Sequence, residues 1–341
     1  MNVATKWIAS LAIAASVAVG GAFAQNLEKT DVELGVGGAS LLYYLPLTIA
    51  VQKGYFAEEG LNVKVNDFKG GSKSLQALVG GSVDVVAGAY EHTIRMQVKK
   101  QPIVAVVEMG RLPGIVVAVK SDLKDKVKTA ADLKGLKIGV TAPGSGTHNF
   151  LNFVLGKSGV KPDEVTILGV GGGLTAVSAI TQGEADAITN LDPAIAQLVA
   201  GGDVFVLADS RTEEGTREIF GTDNLPAAVL YLKEAFVKEN PNTTQALVNA
   251  IYKSLQWLKT ATPEDVAATV PEEYFLGNKE LYLTAVKSSL PTYSVNGMVT
   301  PEGEKAALGL MSFDDDIANA DIDLSKTFDG SFVEKSAAAI N

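Results

Sequence analysis

The sequence predicts an α/β protein built as two similar lobes, and three observations carry that expectation. Short β-branched apolar runs alternate with stretches whose apolar residues recur every three or four positions, the pattern of parallel strands joined by crossover helices. One small unit is written twice: residues 70–86 read GGSKSLQALVGGSVDVV, and residues 172–188, 102 positions later, read GGLTAVSAITQGEADAI. The chain of 341 residues is longer than one hydrophobic core usually organises.

Taken in order, the chain opens on residues 1–24, with one charge at Lys6, an apolar run from Trp7 to Val19 and the small residues Ala22-Phe23-Ala24. That is the layout of a secretory signal peptide cut before Gln25, since the apolar run is shorter than the roughly 20 residues a membrane span needs. No cysteine follows the cut to take a lipid anchor, so a soluble, exported chain is expected. Strands are expected at 32–36, 63–67, 83–87, 103–107, 115–119, 137–141, 165–168, 185–189 and 204–207. After about 233 the pattern turns helical, at roughly 241–260, 263–270, 278–288 and 301–310. The expected division is signal peptide 1–24, a first α/β block over 25–113, a second over 114–222 and a mainly helical part over 223–341, each boundary good to about ten residues.

The repeated unit sits at the matching place in each lobe. A glycine pair opens a helix, Gly81 or Gly183 ends it, and a short strand follows that carries Asp84 or Asp186. Two such lobes would set helix N-termini facing one another across a cleft. Unpaired N–H groups and the positive end of the helix dipole make these ends holders of anions or polar groups.

Composition removes several functions. A hydrophobic fraction of 47% with 20% charged residues describes a packed globular protein. The absence of cysteine excludes disulfides, thiolate catalysis and sulfur-ligated metals. A formal net charge of −10 argues against nucleic acid or anionic lipid as partners.

Four segments resemble a known family. They are Leu47-Thr48-Ile49-Ala50 followed by Lys53-Gly54-Tyr55-Phe56 and Glu59-Gly60-Leu61, then GGSKSLQALVGGSVDVVAG, ADLKGLKIGVTAPGSGTH, and GEADA at 183–187. In this order they resemble the periplasmic substrate-binding proteins of ABC importers, in the branch of sulfonate, taurine, nitrate and thiamine-precursor binders. The resemblance runs from about residue 31 to 235. It implies the type II periplasmic binding protein fold: two α/β lobes, each a mainly parallel sheet with flanking helices, joined by two hinge crossings. The lobes close on a ligand in the cleft between them, with lobe I at 25–113, lobe II at 114–222 and residues 223–341 returning to lobe I. It also implies a small-molecule ligand, an inner-membrane permease with its ATPase as partner, a periplasmic monomer, and no catalysis, cofactor or metal.

Ligands of open α/β sheets sit beyond the carboxyl ends of the strands, so the loops there supply the candidate contacts. They are Ser40, Tyr43 and Tyr44 after the first strand, Gly71 and Ser72 at the first glycine turn, and Tyr90, Glu91 and His92 after the third strand. Arg111 lies at the first crossing. Gly144, Ser145, Thr147, His148, Asn190 and Asp192 complete the set from lobe II. Arg111 would clamp a carboxylate or sulfonate, whereas Glu91 and Asp192 would suit an amino-bearing group. The expected ligand is a sulfonate- or carboxylate-type anion, with a zwitterion or an amino-substituted heteroaromatic as the alternative. An enzyme on the same fold is the competing class, and the signal peptide disfavours it.

Overall fold

A computed structural model describes residues 26–340, so the expected signal peptide lies outside the described residues. The strands are β1 (Asp31–Val36), β2 (Asn62–Asp67), β3 (Val85–Ala89), β4 (Ile103–Glu108), β5 (Val116–Lys120), β6 (Lys137–Val140), β7 (Thr166–Gly169), β8 (Ala187–Asn190), β9 (Val204–Asp209) and β10 (Ala228–Lys233). They form two five-stranded sheets, ordered β2-β1-β3-β10-β4 and β7-β6-β8-β5-β9. The first belongs to lobe I and the second to lobe II. The nine expected strands all form, with ends shifted by at most two residues.

Each sheet is mainly parallel, as expected, with one antiparallel strand: β10 runs antiparallel to β3 and β4, and β5 antiparallel to β8 and β9. One strand, β10, lies outside the expected set. Its Ala228-Val229-Leu230-Tyr231-Leu232 run is buried on both faces and shows no alternation, which a central strand does not need. Each sheet therefore has one strand delivered by the other side of the hinge. The crossings, Met109–Ile115 and Ser210–Ala227, are tied to one another: Ser210 N–H donates to the Ile115 carbonyl at 3.0 Å, and Leu225 N–H to the Arg111 carbonyl at 2.9 Å.

The repeated unit has a structural reason at its far end. Asp84 accepts a hydrogen bond from the N–H of Glu33, the third residue of β1, at 2.9 Å, and Asp186 accepts from Lys137 N–H at the start of β6, also at 2.9 Å. Each aspartate satisfies a backbone donor that its ladder leaves open. Gly81 and Gly183 end their helices at φ +79° and +74°, where an L side chain would be strained.

The expected helices form as Pro241–Leu258, Pro263–Thr269, Lys279–Ser289 and Pro301–Leu310. The first packs on lobe I beside the C-terminal helix Ser331–Ile340, through buried Leu247, Ile251, Phe332 and Val333. Among the described residues no helix is long and apolar enough to cross a membrane.

Candidate functional site

Two helix N-termini meet where the lobes face each other. The helix Gly71–Gly80 of lobe I begins after Gly70, and the helix Gly146–Lys157 of lobe II begins after Ser145. The approach is close. Ser72 N–H, an unpaired donor of the first helix, reaches across to Ser145 Oγ at 3.2 Å, and Ser72 Oγ donates to the Pro143 carbonyl at 2.8 Å. Leu42 N–H donates to the Asp192 carbonyl at 3.0 Å, which fastens the β1 loop to lobe II.

Between these contacts lies a cavity of about 20 Å³. Its wall includes the candidates Tyr43, Tyr44, Gly71, Ser145 and Thr147, together with Gly37, Leu41, Ala89, Ile115, Thr141, Gly146 and Leu191. The volume is near that of one water, so an organic ligand enters only when the lobes separate. Thr147 shapes the lobe II wall. Its Oγ1 accepts from Thr141 N–H at 3.0 Å and lies 2.8 Å from Thr141 Oγ1, fixing the strand-to-helix turn. Tyr43 and Tyr44 pack edge to face with ring centres 4.9 Å apart. Burial raises the pKa of both phenols, so they act as neutral hydroxyls.

Five further candidates, Ser40, Ser72, Glu91, His92 and Gly144, sit on the seam around the cavity. Ser40 faces Gly173, and Ser72 bridges as described. His92 Nε2 lies 3.3 Å from the Gly144 carbonyl, while its Nδ1 lies 3.0 Å from the Tyr231 hydroxyl. A carbonyl only accepts, so the proton is on Nε2 and Nδ1 accepts from Tyr231. Burial pulls the His92 pKa down to about 4, which makes it a neutral bridge rather than a cation at physiological pH. Glu91 accepts from Asn149 Nδ2 at 3.3 Å, and burial raises its carboxyl pKa against the pull of that bond and of Arg95.

The remaining candidates lie away from the cavity. Tyr90 turns into the lobe I core, where its hydroxyl bonds to Thr327 Oγ1. Arg111 stays at the hinge, its guanidinium paired with Glu213 at 2.6 Å. His148 accepts from the Gly144 N–H at 2.9 Å and lines an outer groove of about 550 Å³ with Arg95 and Asp314. Asn190 donates to the Gly171 carbonyl at 2.9 Å. Asp192 accepts from Ala196 N–H at 2.9 Å and pairs with Arg211 at 3.3 Å.

Strand-end reasoning did not single out Gly37, Leu41, Ala89, Ile115, Thr141, Gly146 or Leu191 of the wall. The signal for Thr141 and Gly146 was present, since they flank the Pro143–Ser145 turn. Nothing local marks Ile115.

The sequence matches the NMT1/THI5-like description over residues 42–265, well over half of the chain. The chain belongs to the NMT1/THI5-like family. A solved structure of a protein from Bordetella bronchiseptica RB50 is 45% identical to this family member, covers 92% of it and 99% of its own chain, and superposes with a TM-score of 0.89. The alkanesulfonate-binding protein SsuA of Xanthomonas axonopodis pv. citri, solved with MOPS, shares the fold: TM-score 0.67 at 19% identity, over 89% of this chain and 99% of SsuA. The 4-amino-5-hydroxymethyl-2-methylpyrimidine phosphate synthase THI13 of Saccharomyces cerevisiae is 24% identical over 226 residues, 63% of each chain. The NMT1/THI5-like fold thus carries both binding proteins and an enzyme, and in this chain it takes the two-lobed form of periplasmic binding proteins.

Proposed function

We propose that the protein is the solute-binding component of an ABC importer, exported to the periplasm as a monomer, where it captures a small organic molecule by lobe closure and delivers it to a permease. One observation carries this reading. Two helix N-termini from opposite lobes converge on one small cavity, whose wall is shared by Tyr43 and Gly71 of lobe I and Thr141, Ser145 and Thr147 of lobe II. Such a space is completed only by closure, which is what binding by two lobes requires.

The cavity wall contains no charged side chain. A sulfonate or carboxylate would therefore be held by backbone N–H groups, the helix dipoles and neutral hydroxyls. With Arg111 engaged by Glu213, no cationic clamp takes part. Glu91 favours the second reading, an amino-bearing heteroaromatic or zwitterion, because its buried carboxyl stands beside Gly146 at the cavity edge.

Mass spectrometry of the small molecule that co-purifies, followed by calorimetry with alkanesulfonates, carboxylates and aminopyrimidines, tests the proposal. Recovery of the bound compound unchanged after prolonged incubation is expected of a binder, whereas its conversion would support the enzyme class. Glu91→Gln separates the two ligand types: affinity for an anion holds or improves, and affinity for an amine falls about tenfold or more.

A further inference from the structure

The lobes meet a second time outside the cavity, through the segment that follows Pro301–Leu310. Leu310 and Met311 belong to lobe I, in a buried cluster with Leu78, Ile94 and Val229. The chain then turns, with Asp314 N–H donating to the Met311 carbonyl at 3.0 Å, and lays Phe313 on the lobe II helix Gly146–Lys157. Phe313 stays 42% exposed, with its ring edge-on to Phe153 at 5.8 Å. Gly156 makes room for it, since a Cβ at that position would overlap the Phe313 ring. Glycine inside a helix is less favourable than alanine, so its use here matches the ring and not the helix.

A polar arrangement stands beside this contact. Arg95, on the lobe I helix Glu91–Val98, pairs with Asp314 at 2.7 Å and donates to Asn149 Oδ1 of lobe II at 3.2 Å. Asn149 Nδ2 in turn donates to Glu91 at 3.3 Å. Two residues four apart on one lobe I helix thus hold both ends of a single lobe II amide. Neither Phe313 nor Gly156 nor Asn149 lines the cavity.

We infer that Phe313 seated on Gly156, with Asn149 held between Glu91 and Arg95, forms a latch that sets the open–closed balance and thereby ligand affinity without touching the ligand. The inference rests on the closure reading above. Affinity of a closing protein scales with the population of its competent form, so contacts present only in the closed arrangement raise affinity from a distance.

The chain has no cysteine, which leaves a clean background for paired spin labels. Ser82→Cys and Glu184→Cys place labels at exposed, matching positions of the two lobes. Pulsed electron-spin distance measurements on the full ligand-free chain then read the two populations directly. Phe313→Ala, Asn149→Ala and Gly156→Ala should each raise the ratio of long to short distances about three- to tenfold. Phe313→Ala with Gly156→Ala should add little to either alone, because they share one seat. Alanine at 156 strengthens the helix, so opening in that variant is not loss of folding. If the parent shows two distances and the variants reproduce its ratio, or shift it toward the short distance, the latch is wrong while closure stands. A single unchanging distance in the parent overturns closure, and the latch with it.

Discussion

The two copies of the glycine–helix–aspartate unit agree at one end and oppose each other at the other. Near the strand starts, Asp84 and Asp186 accept the same kind of hydrogen bond at the same distance, from the Glu33 N–H in the first half of β1 and from the Lys137 N–H that opens β6. At the strand ends, the paired glycines face the opposite lobe. A Cβ on Gly70 would stand 2.6 Å from Ala142 Cβ, and one on Gly172 would stand 2.8 Å from Leu41 Cδ2. The aspartate end holds each lobe together by itself, and the glycine end lets the two backbones come close. What the chain repeats is therefore a part with one terminus fixed within its own lobe and one turned to the other lobe.

The matched edge strands β4 and β9 offer the largest contrast between the lobes. β4 ends in Glu108, buried without a paired cation and accepting from Ser294 Oγ at 2.6 Å, whereas β9 ends in Asp209, paired with Arg211 at 2.6 Å. Burial pushes the Glu108 carboxyl up to about 8 from its ordinary 4.5. The folded state then holds this proton more tightly than the unfolded chain. The stability it contributes is complete below about 4.5 and is lost as pH rises through about 8. Glu108→Gln should remove that decline, a difference of roughly 5 kcal/mol across the window, read as a flatter curve of unfolding free energy against pH. An unchanged slope would mean that Glu108 is ionised in the fold.

Gly70→Val probes the terminus turned to the other lobe next. Gly70 has an extended backbone (φ 174°), so the substitution meets no local strain, only the other lobe. Overpacking of about 2–3 kcal/mol in the closed form alone should weaken ligand binding thirty- to a hundredfold in calorimetry, with the melting temperature kept.

The termini fixed within their own lobes should respond in the opposite way. Asp84→Ala should cost about 1–2 kcal/mol in denaturant unfolding, since it orphans the Glu33 N–H and breaks the 2.6 Å pair with Lys29. Asp186→Ala, which loses the backbone bond only, should cost about 1 kcal/mol. Both should bind ligand as the parent does, and loss of affinity in either would break the division of labour.

The smallest effect belongs to the second glycine. Gly172→Ala presses on the end of the Leu41 side chain, which can rotate away, so affinity should fall only severalfold by calorimetry. Equal losses at 70 and 172 would show that the lobes meet symmetrically after all.

Much of this was legible in the residues themselves. β-Branched runs bounded by glycine and proline marked nine strands, because edge and crossover strands carry their signal locally. β10 was not legible, for its partners β3 and β4 lie more than a hundred positions earlier and its run of apolar residues fits a helix as well. The same distance effect governed the site. Tyr43, Tyr44, Ser145 and Thr147 face the cavity because a strand end puts them there. Arg111 and Tyr90 lie away from the cavity because of partners far along the chain, Glu213 102 positions on and Thr327 237 positions on.

The central place of β10 bears on the order in which the molecule assembles. All five strands of lobe II fall between Val116 and Asp209, one continuous stretch of chain. Lobe I cannot finish its sheet until Ala228–Lys233 arrives to pair with β3 on one side and β4 on the other. Before that, β2-β1-β3 and β4 are separate pieces with two bare edges, open to pairing with other chains. Lobe II is thus the part that forms as an independent unit, and insertion of β10 is the step that completes lobe I and removes its exposure to misassembly.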